Sequence, residues 1–101
     1  KLYIIVADFL NSGQKLAQSA HVCFEFASNH PENTKKWMTE SNYICILSTS
    51  SIEMFKILEK CNELNVAHSV FRESDLNNVI TAIALEPGEN SKNLCKKLKL
   101  A

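Results

Sequence analysis

The segment that decides the fold spans residues 2–25 and reads LYIIVADFLNSGQKLAQSAHVCFE. Its first six residues, 2–7, form an unbroken apolar run with β-branched and aromatic side chains, which is typical of a strand buried on both faces. Ser12 is a favourable N-cap residue, and apolar residues recur beyond it at helical spacing. The segment therefore predicts a central strand followed by a helix that packs against it.

The predicted first helix has two different faces. We expect its core-facing side to consist of Leu16, Ala20, Cys23 and Ala27. A narrow polar stripe at positions i, i+4, i+7 and i+11 consists of Gln14, Gln18, His21 and Glu25. Such a stripe is more often a solvated helix face than a site. Here it begins near the carboxyl end of a strand, where open α/β sheets tend to bind ligands, so it is also a candidate site.

The remaining elements follow from local patterns. His30 and Pro31 predict the end of the first helix, because a residue that precedes proline disfavours the helical region. A second helix is expected over 32–40, with Trp37 and Met38 as its apolar contacts. Strands are predicted over 42–48, 66–71 and 79–85, with a polar loop over 72–78.

The third helix is predicted to begin with a capping box formed by Ser50 and Glu53 and to end at Asn65, which replaces glycine there. Its expected apolar face consists of Ile52, Phe55, Leu58 and Cys61. After Pro87 and Gly88, a last helix should carry Leu94, Leu98 and the terminal lysines.

The predicted order is β-α-α-β-α-β-β-α. Strands that are separated by helices should run parallel through right-handed crossovers, whereas the last two strands, joined by a short loop, should pair antiparallel. This order predicts an α/β fold of three α/β/α layers with a four-stranded mixed sheet. A length of 101 residues predicts a single domain over 1–101.

Charge and cysteine content narrow the function classes. Eleven basic residues offset eleven acidic ones, so any nucleic-acid binding must come from a local patch. One such patch, over 91–101, contains Lys92, Lys96, Lys97 and Lys99. The four cysteines are widely spaced in apolar segments, which indicates reduced core residues in a cytoplasmic protein rather than a zinc site. With two glycines in the chain, a phosphate-binding loop is absent, and we expect no metal, no cofactor and no membrane span.

Three stretches resemble the archaeal and eukaryotic type (type 2) of peptidyl-tRNA hydrolase. Gly13, Ala17, Gln18 and His21 match that family's Gly-Lys-x-x-Ala-Gln-x-x-His after an apolar strand. The stretch 81–88, TAIALEPG, is similar to its Thr-x-x-x-Ile-Gly-Pro-Gly. The lysine-rich ending 94–100 resembles the family's closing helix. The resemblance spans the whole chain in matching order and implies the hydrolase fold, a homodimer, and a peptidyl-tRNA acceptor end as substrate.

The sequence departs from the family pattern at two places. Gln14 occupies the position of the family's lysine, and Lys15 lies one residue later, rotated by about 100° on a helix. The stretch 73–78, ESDLNN, replaces the family's Asp-Ala-Gly-x-Thr. These departures resemble the divergent branch named peptidyl-tRNA hydrolase domain-containing proteins.

Ester hydrolysis needs a base, donors for the developing oxyanion, and groups that hold the tRNA end. His21 is a candidate base or else a helix histidine bonded to a neighbouring strand. Gln14, Gln18 and Thr81 are candidate donors or else caps of nearby loops. Glu73 and Asp75 would orient His21 or a water, or are loop acids.

Each candidate lysine also has two possible roles, one in binding and one without a function. Lys15 is a phosphate or oxyanion contact or a solvated lysine, and Lys92, Lys96 and Lys97 contact phosphates or form a charged helix face. The leading hypothesis is a peptidyl-tRNA hydrolase that also acts on N-blocked aminoacyl groups. The alternatives are a non-catalytic tRNA-binding module with the same fold and a protein-interaction domain.

Overall fold

The computed structural model describes residues 1–101, which form one five-stranded sheet with helices on both faces. The strands are β1 (Leu2–Ala7), β2 (Ile44–Thr49), β3 (His68–Glu73), β4 (Val79–Leu85) and β5 (Lys99–Leu100). The helices are α1 (Ser12–Asn29), α2 (Pro31–Glu40), α3 (Ser51–Glu63) and α4 (Glu89–Cys95), and a single 3-10 turn, Ser74–Leu76, follows β3.

The strands lie in the order β3-β4-β1-β2-β5. β1 pairs parallel with β2, and β3 pairs antiparallel with β4, as predicted. β4 also pairs antiparallel with β1, a contact that the sequence patterns did not predict. The predicted count of four strands is wrong. α4 ends at Cys95, so Leu98 lies beyond it, and Lys99 and Leu100 pair with Ser48 and Leu47 as a fifth strand. Two residues are too few to show a strand periodicity, which is why sequence patterns miss β5.

Alternate residues of β1 enter two separate cores, as expected of a strand covered on both faces. Ile5, less than 1% exposed, contacts the layer of α3 and α4, whereas Ile4, equally buried, contacts the layer of α1 and α2. The three-layer α/β/α arrangement follows from these two cores.

The orientation of α1 differs from the prediction. Its buried residues are Gln18, Ser19, Val22 and Phe26, while Leu16 and Phe24 are 71% and 77% exposed. The predicted apolar face therefore points largely to solvent, and part of the polar stripe faces the sheet. Burial of Gln18 is tolerated because both ends of its carboxamide are hydrogen-bonded, and the Ser19 hydroxyl bonds to the carbonyl of Lys15.

The N-cap of α1 lies one residue before its predicted position. The N-cap of α1 is Asn11 rather than Ser12, and its side chain accepts a hydrogen bond from the Gln14 amide at 2.8 Å. Gln14 Oε1 in turn accepts one from the Asn11 amide at 3.0 Å. This reciprocal capping box lies on α1, whereas on α3 only Ser50 accepts from the Glu53 amide.

The predicted apolar faces of α3 and α2 are only partly correct. α3 buries Met54, Ile57 and Cys61, and exposes Ile52 and Phe55. In α2, Trp37 is half-buried against the core but Met38 is 60% exposed.

The first and last residues of the strands and helices lie close to their predicted positions. β4 has its predicted limits, while β2 and β3 begin two residues later than predicted. The polar loop predicted over 72–78 is shorter, because β3 continues to Glu73 and the 3-10 turn follows it. Asn65 follows α3 with a left-handed φ of 55°, as a helix-ending residue should.

Candidate functional site

The site is built on a β-bulge in β4. Phe71 of β3 pairs with Ala82, but the next residue, Arg72, pairs with Ile80. Thr81 is thus the extra residue on β4, which reverses the alternation of side chains at this point. As a result the Thr81 side chain faces α1, whereas Ile80 joins the core on the opposite side of the sheet.

Gln18 connects this bulge to the end of β3. Thr81 Oγ1 donates to Gln18 Oε1 at 2.9 Å, and Gln18 Nε2 donates to Glu73 Oε2 at 2.8 Å. Thr81 is fully buried and Gln18 is 7% exposed. Three residues that lie on three different elements therefore form one hydrogen-bonded chain, from the sheet interior to a half-buried carboxylate.

The chemistry of the three groups fixes the direction of this chain. An ionised carboxylate only accepts hydrogen bonds, so the amide nitrogen of Gln18 must face Glu73. Its oxygen then faces Thr81, whose hydroxyl must be the donor. The second proton of the Gln18 amide group has no acceptor within the protein and is free to donate to a substrate.

Glu73 is also held on its other side. Its Oε1 accepts from the backbone amide of Asp75 at 3.4 Å, which orients the carboxylate at the start of the 3-10 turn. Asp75 itself is exposed, and its side chain makes no hydrogen bond with His21 or Gln18. Of the two acids considered, Glu73 is the one that the fold places at Gln18.

His21 lies one turn beyond Gln18 and stacks on an aromatic ring of β3. Its imidazole is parallel to the Phe71 ring, with 4.4 Å between ring centroids and 6° between planes. The ring is exposed and makes no hydrogen bond within the protein. Gln18 thus faces Glu73, and His21 faces Phe71. Residues i and i+3 of a helix are about as far apart as residues i and i+2 of a strand, so the two pairs can form side by side.

The other candidates on α1 lie apart from this chain. The Gln14 carboxamide is the reciprocal cap of Asn11, which corresponds to the capping alternative. Lys15 is half-buried and lines a cleft with Leu16, Ser19 and Ile46, on the β2 side of the helix. Gln18 instead faces β4, so the fold does not bring Lys15 to Gln18.

The terminal lysines are divided by the fold. Lys92 and Lys96 lie on and just after α4, in the layer across the sheet from α1. Lys97 lines a cleft with Asp8, Thr49 and Lys99 at the carboxyl ends of β1 and β2. Because Thr81 lies beside the same end of β1, Lys97 and Lys99 share a sheet edge with the hydrogen-bonded chain. The three strand spacings from β4 to β5 correspond to about 14 Å.

The site is open. Five clefts of the surface are lined by other residues, and none of these five includes Gln18, Glu73 or Thr81. Small-molecule sites are usually concave and enclosed. A shallow site of this kind is better suited to one end of a large substrate that is also held elsewhere.

A sequence model of the family Peptidyl-tRNA hydrolase PTH2 matches residues 1–101. The chain belongs to this family. The match covers every element of the fold, including β5, and it includes the resembling stretches on α1 and β4. Family membership suggests a hydrolase that acts on a tRNA-linked substrate.

Comparison with known structures supports the fold. The PTH2 chain is similar to a solved protein of unknown function, Atu0240, from Agrobacterium tumefaciens strain C58, with a TM-score of 0.75 and 17% sequence identity. The match covers 100% of this chain and 96% of that one. A search of curated proteins found no match. At this identity the similarity concerns the fold alone.

Two features of the PTH2 site were not predicted. The bulge at Thr81 changes which way a side chain points without changing the apolar pattern around it, so no local pattern indicates it. Phe71 was predicted only as part of a strand. Its place two residues before Glu73, on the same strand face, could have indicated a contact with α1.

The thiols are remote from this chemistry. Cys61 and Cys95 are buried in the core beneath α3 and α4, and burial raises the pKa of Cys61 to about 11 and of Cys95 to about 12. All four cysteines are free; Cys61 and Cys95 are buried, as predicted for core residues, whereas Cys23 and Cys45 are half-buried at the edge of the core. No group of three or more metal-ligating side chains is present, and no helix is long and apolar enough to cross a membrane.

Proposed function

We propose that this chain hydrolyses the ester between a peptide, or an N-blocked aminoacyl group, and the terminal ribose of tRNA. The proposal rests on one observation: Gln18 bridges the buried Thr81 hydroxyl and the half-buried Glu73 carboxylate. A hydrolytic site needs a base and a donor that are held in fixed positions. This chain of hydrogen bonds provides both at the surface.

In this mechanism Glu73 is the general base. It takes a proton from water as the water oxygen attacks the ester carbonyl carbon. The free proton of the Gln18 amide donates to the carbonyl oxygen as negative charge develops there. When the tetrahedral intermediate collapses, the carbon–oxygen bond to the ribose breaks, and the Glu73 carboxylic acid returns its proton to the leaving ribose oxygen.

Thr81 and the remaining candidates have supporting roles. Thr81 fixes the rotamer of the Gln18 amide and is a positioning residue. The exposed ring of His21 has no acid partner, which favours Glu73 over His21 as the base. Lys97, with Lys99, would contact phosphates along the shared sheet edge, whereas Lys15, Lys92 and Lys96 would contact more distant parts of the tRNA.

We further assign the chain to the divergent branch of the family, peptidyl-tRNA hydrolase domain-containing proteins. Gln14 has the role of a helix cap here, so the lysine of the family pattern has no equivalent at its position. Glu73 takes the place of the acid in the missing Asp-Ala-Gly-x-Thr loop. The proposed setting is translation in the cytoplasm, where the four free cysteines stay reduced.

We also propose that the chain forms a homodimer through an apolar surface beside α1. The α1 layer leaves part of this face of β2 open, and Leu16 of α1 and Ile44 of β2 are 71% and 49% exposed there. Exposed apolar patches of this kind mark protein contacts. Sedimentation equilibrium of the wild type should show a dimer and that of Leu16→Glu a monomer, whereas Ile52→Glu on α3 should remain dimeric. A monomeric wild type would refute the dimer.

The hydrolase proposal is tested by release of labelled acyl-amino acid from N-acetyl-aminoacyl-tRNA. We expect Glu73→Gln to lower kcat by about 100- to 10,000-fold with little change in KM. Gln18→Ala should also lower kcat. Glu59→Gln, an exposed carboxylate change on α3, is the matched control and should leave kcat within about 2-fold. A folded wild type that binds tRNA but releases nothing would refute the enzyme and leave a binding module.

A further inference from the structure

The stacked pair of His21 and Phe71 lies beside the proposed reaction site and takes no part in the proton transfers. Phe71 is half-buried and forms one side of the stack, while the outer face of the His21 ring is open to solvent. On a helix, side chains lean toward the N-terminus, so the imidazole leans toward Ala17 and Gln18. Ala17 is small and exposed, which leaves the ring face unobstructed.

We infer that this ring is a stacking platform for the unpaired terminal nucleobase of the tRNA. The inference rests on the proposed function and specifies how its substrate is held. The reacting ester is on the ribose of the terminal nucleotide, so the base attached to that ribose must lie within one nucleotide's length of Gln18. His21 is the aromatic side chain next to Gln18 with an open face.

The local charges favour a base over a phosphate. Glu25, one turn along α1, is exposed, and Glu73 and Asp75 lie beside the stack on β3 and its following turn. Three carboxylates repel a phosphate group, whereas a flat base face carries no net charge. Aromatic side chains, including histidine, bind unpaired bases in this way.

Phe71 acts as a positioning residue in this arrangement. Parallel stacking holds the imidazole flat against β3, so the ring does not need to lose its rotamer freedom when a base binds. Stacking does not depend on the ring nitrogens, which separates this role from that of a general base.

The test measures binding of two acceptor-end RNA hairpins, one that ends in an intact terminal nucleotide and one that is abasic at that position only. Both carry the same number of phosphates. We expect the wild type to bind the intact hairpin about 5- to 150-fold more tightly in fluorescence anisotropy. His21→Ala should lose this preference, and His21→Phe should retain it. Phe55→Ala, an exposed aromatic change on α3, is the matched control and should also retain it.

Equal affinity of the wild type for the two hairpins, including a lack of affinity for both, would overturn the inference. A preference for the intact hairpin that persists in His21→Ala would also overturn the inference. Because His21 is exposed, its substitution should not prevent folding. The hydrolysis assay separates this result from the proposed function. Turnover without a base preference would contradict the platform alone, and a base preference without turnover would contradict the hydrolase alone.

Discussion

Thr81 Oγ1 lies 2.9 Å from Oε1 of Gln18, a residue 63 positions earlier in the chain. The contact joins a strand bulge to a helix and sets the amide orientation on which the Glu73 contact depends. A buried hydroxyl thus determines the position of a group that is near the surface. Its removal should affect both stability and catalysis.

Thr81→Val keeps the side-chain shape and removes the donor. We expect a loss of about 1–3 kcal/mol of unfolding free energy, because Gln18 Oε1 would be left buried and unpaired. The kcat for ester hydrolysis should fall by about 100-fold as the amide loses its fixed position. Urea unfolding and the acyl-tRNA assay measure the two effects.

Two matched variants accompany this one. Thr81→Ser should restore most of both losses, because it keeps the hydroxyl. Thr39→Val is the control, since Thr39 is exposed and bonds only to carbonyls of its own helix. Full activity in Thr81→Val would show that Gln18 does not need this donor.

The orientation of α1 is tested by two phenylalanines two residues apart. Phe26 is 1% exposed and Phe24 is 77% exposed. Phe26→Ala should cost about 3–5 kcal/mol of unfolding free energy through cavity formation, whereas Phe24→Ala should cost about 0.5 kcal/mol or less. Similar losses in urea denaturation for both variants would mean that the helix is rotated differently from the structure described here.

The end of α3 depends on a left-handed residue. Asn65 has a φ of 55°, which a β-branched side chain disfavours by about 1–2 kcal/mol. Asn65→Val should therefore lower the unfolding free energy by that amount, while Asn65→Gly should leave it nearly unchanged. Asn62→Val, three residues earlier within α3, is the control. If thermal unfolding shows equal losses at both positions, the left-handed end is not needed.

Stability should decrease at high pH because of the buried thiols. Burial raises the pKa of Cys61 from 9.0 to about 11 and that of Cys95 to about 12. The unfolded chain then loses these protons at lower pH than the folded chain, so the contribution is full below pH 9 and is lost as pH rises through the folded values.

Urea unfolding at pH 8, 9 and 10 measures this decrease. Cys61→Ala should flatten the dependence on pH, whatever its own effect on stability at pH 8. Ile57→Val serves as the comparison, because it changes the same core without removing a titrating group. A wild-type curve that is flat across this range would contradict the assigned pKa direction.

Apart from β5, the order of the strands and α-helices was determined by the sequence alone, because the patterns that encode it are local. The apolar run 2–7 is a strand buried on both faces, Pro31 begins a new helix, and Asn65 ends one. The relative directions of the first four strands followed from connection lengths, whereas the pairings of β4 with β1 and of β5 with β2 did not. Chain stiffness and side-chain periodicity act over a few residues, so they can be read without knowing the neighbours.

Only the tertiary structure decided which face of α1 is buried. The helix has two arcs with apolar residues, one with Val22 and Phe26 and one with Leu16 and Phe24, and local periodicity does not rank them. The arc with Gln18 is buried because Thr81 and Glu73 satisfy its amide. These partners are 63 and 55 residues away. The bulge and the stack of His21 on Phe71 depend in the same way on strand register, which forms only when distant segments pair.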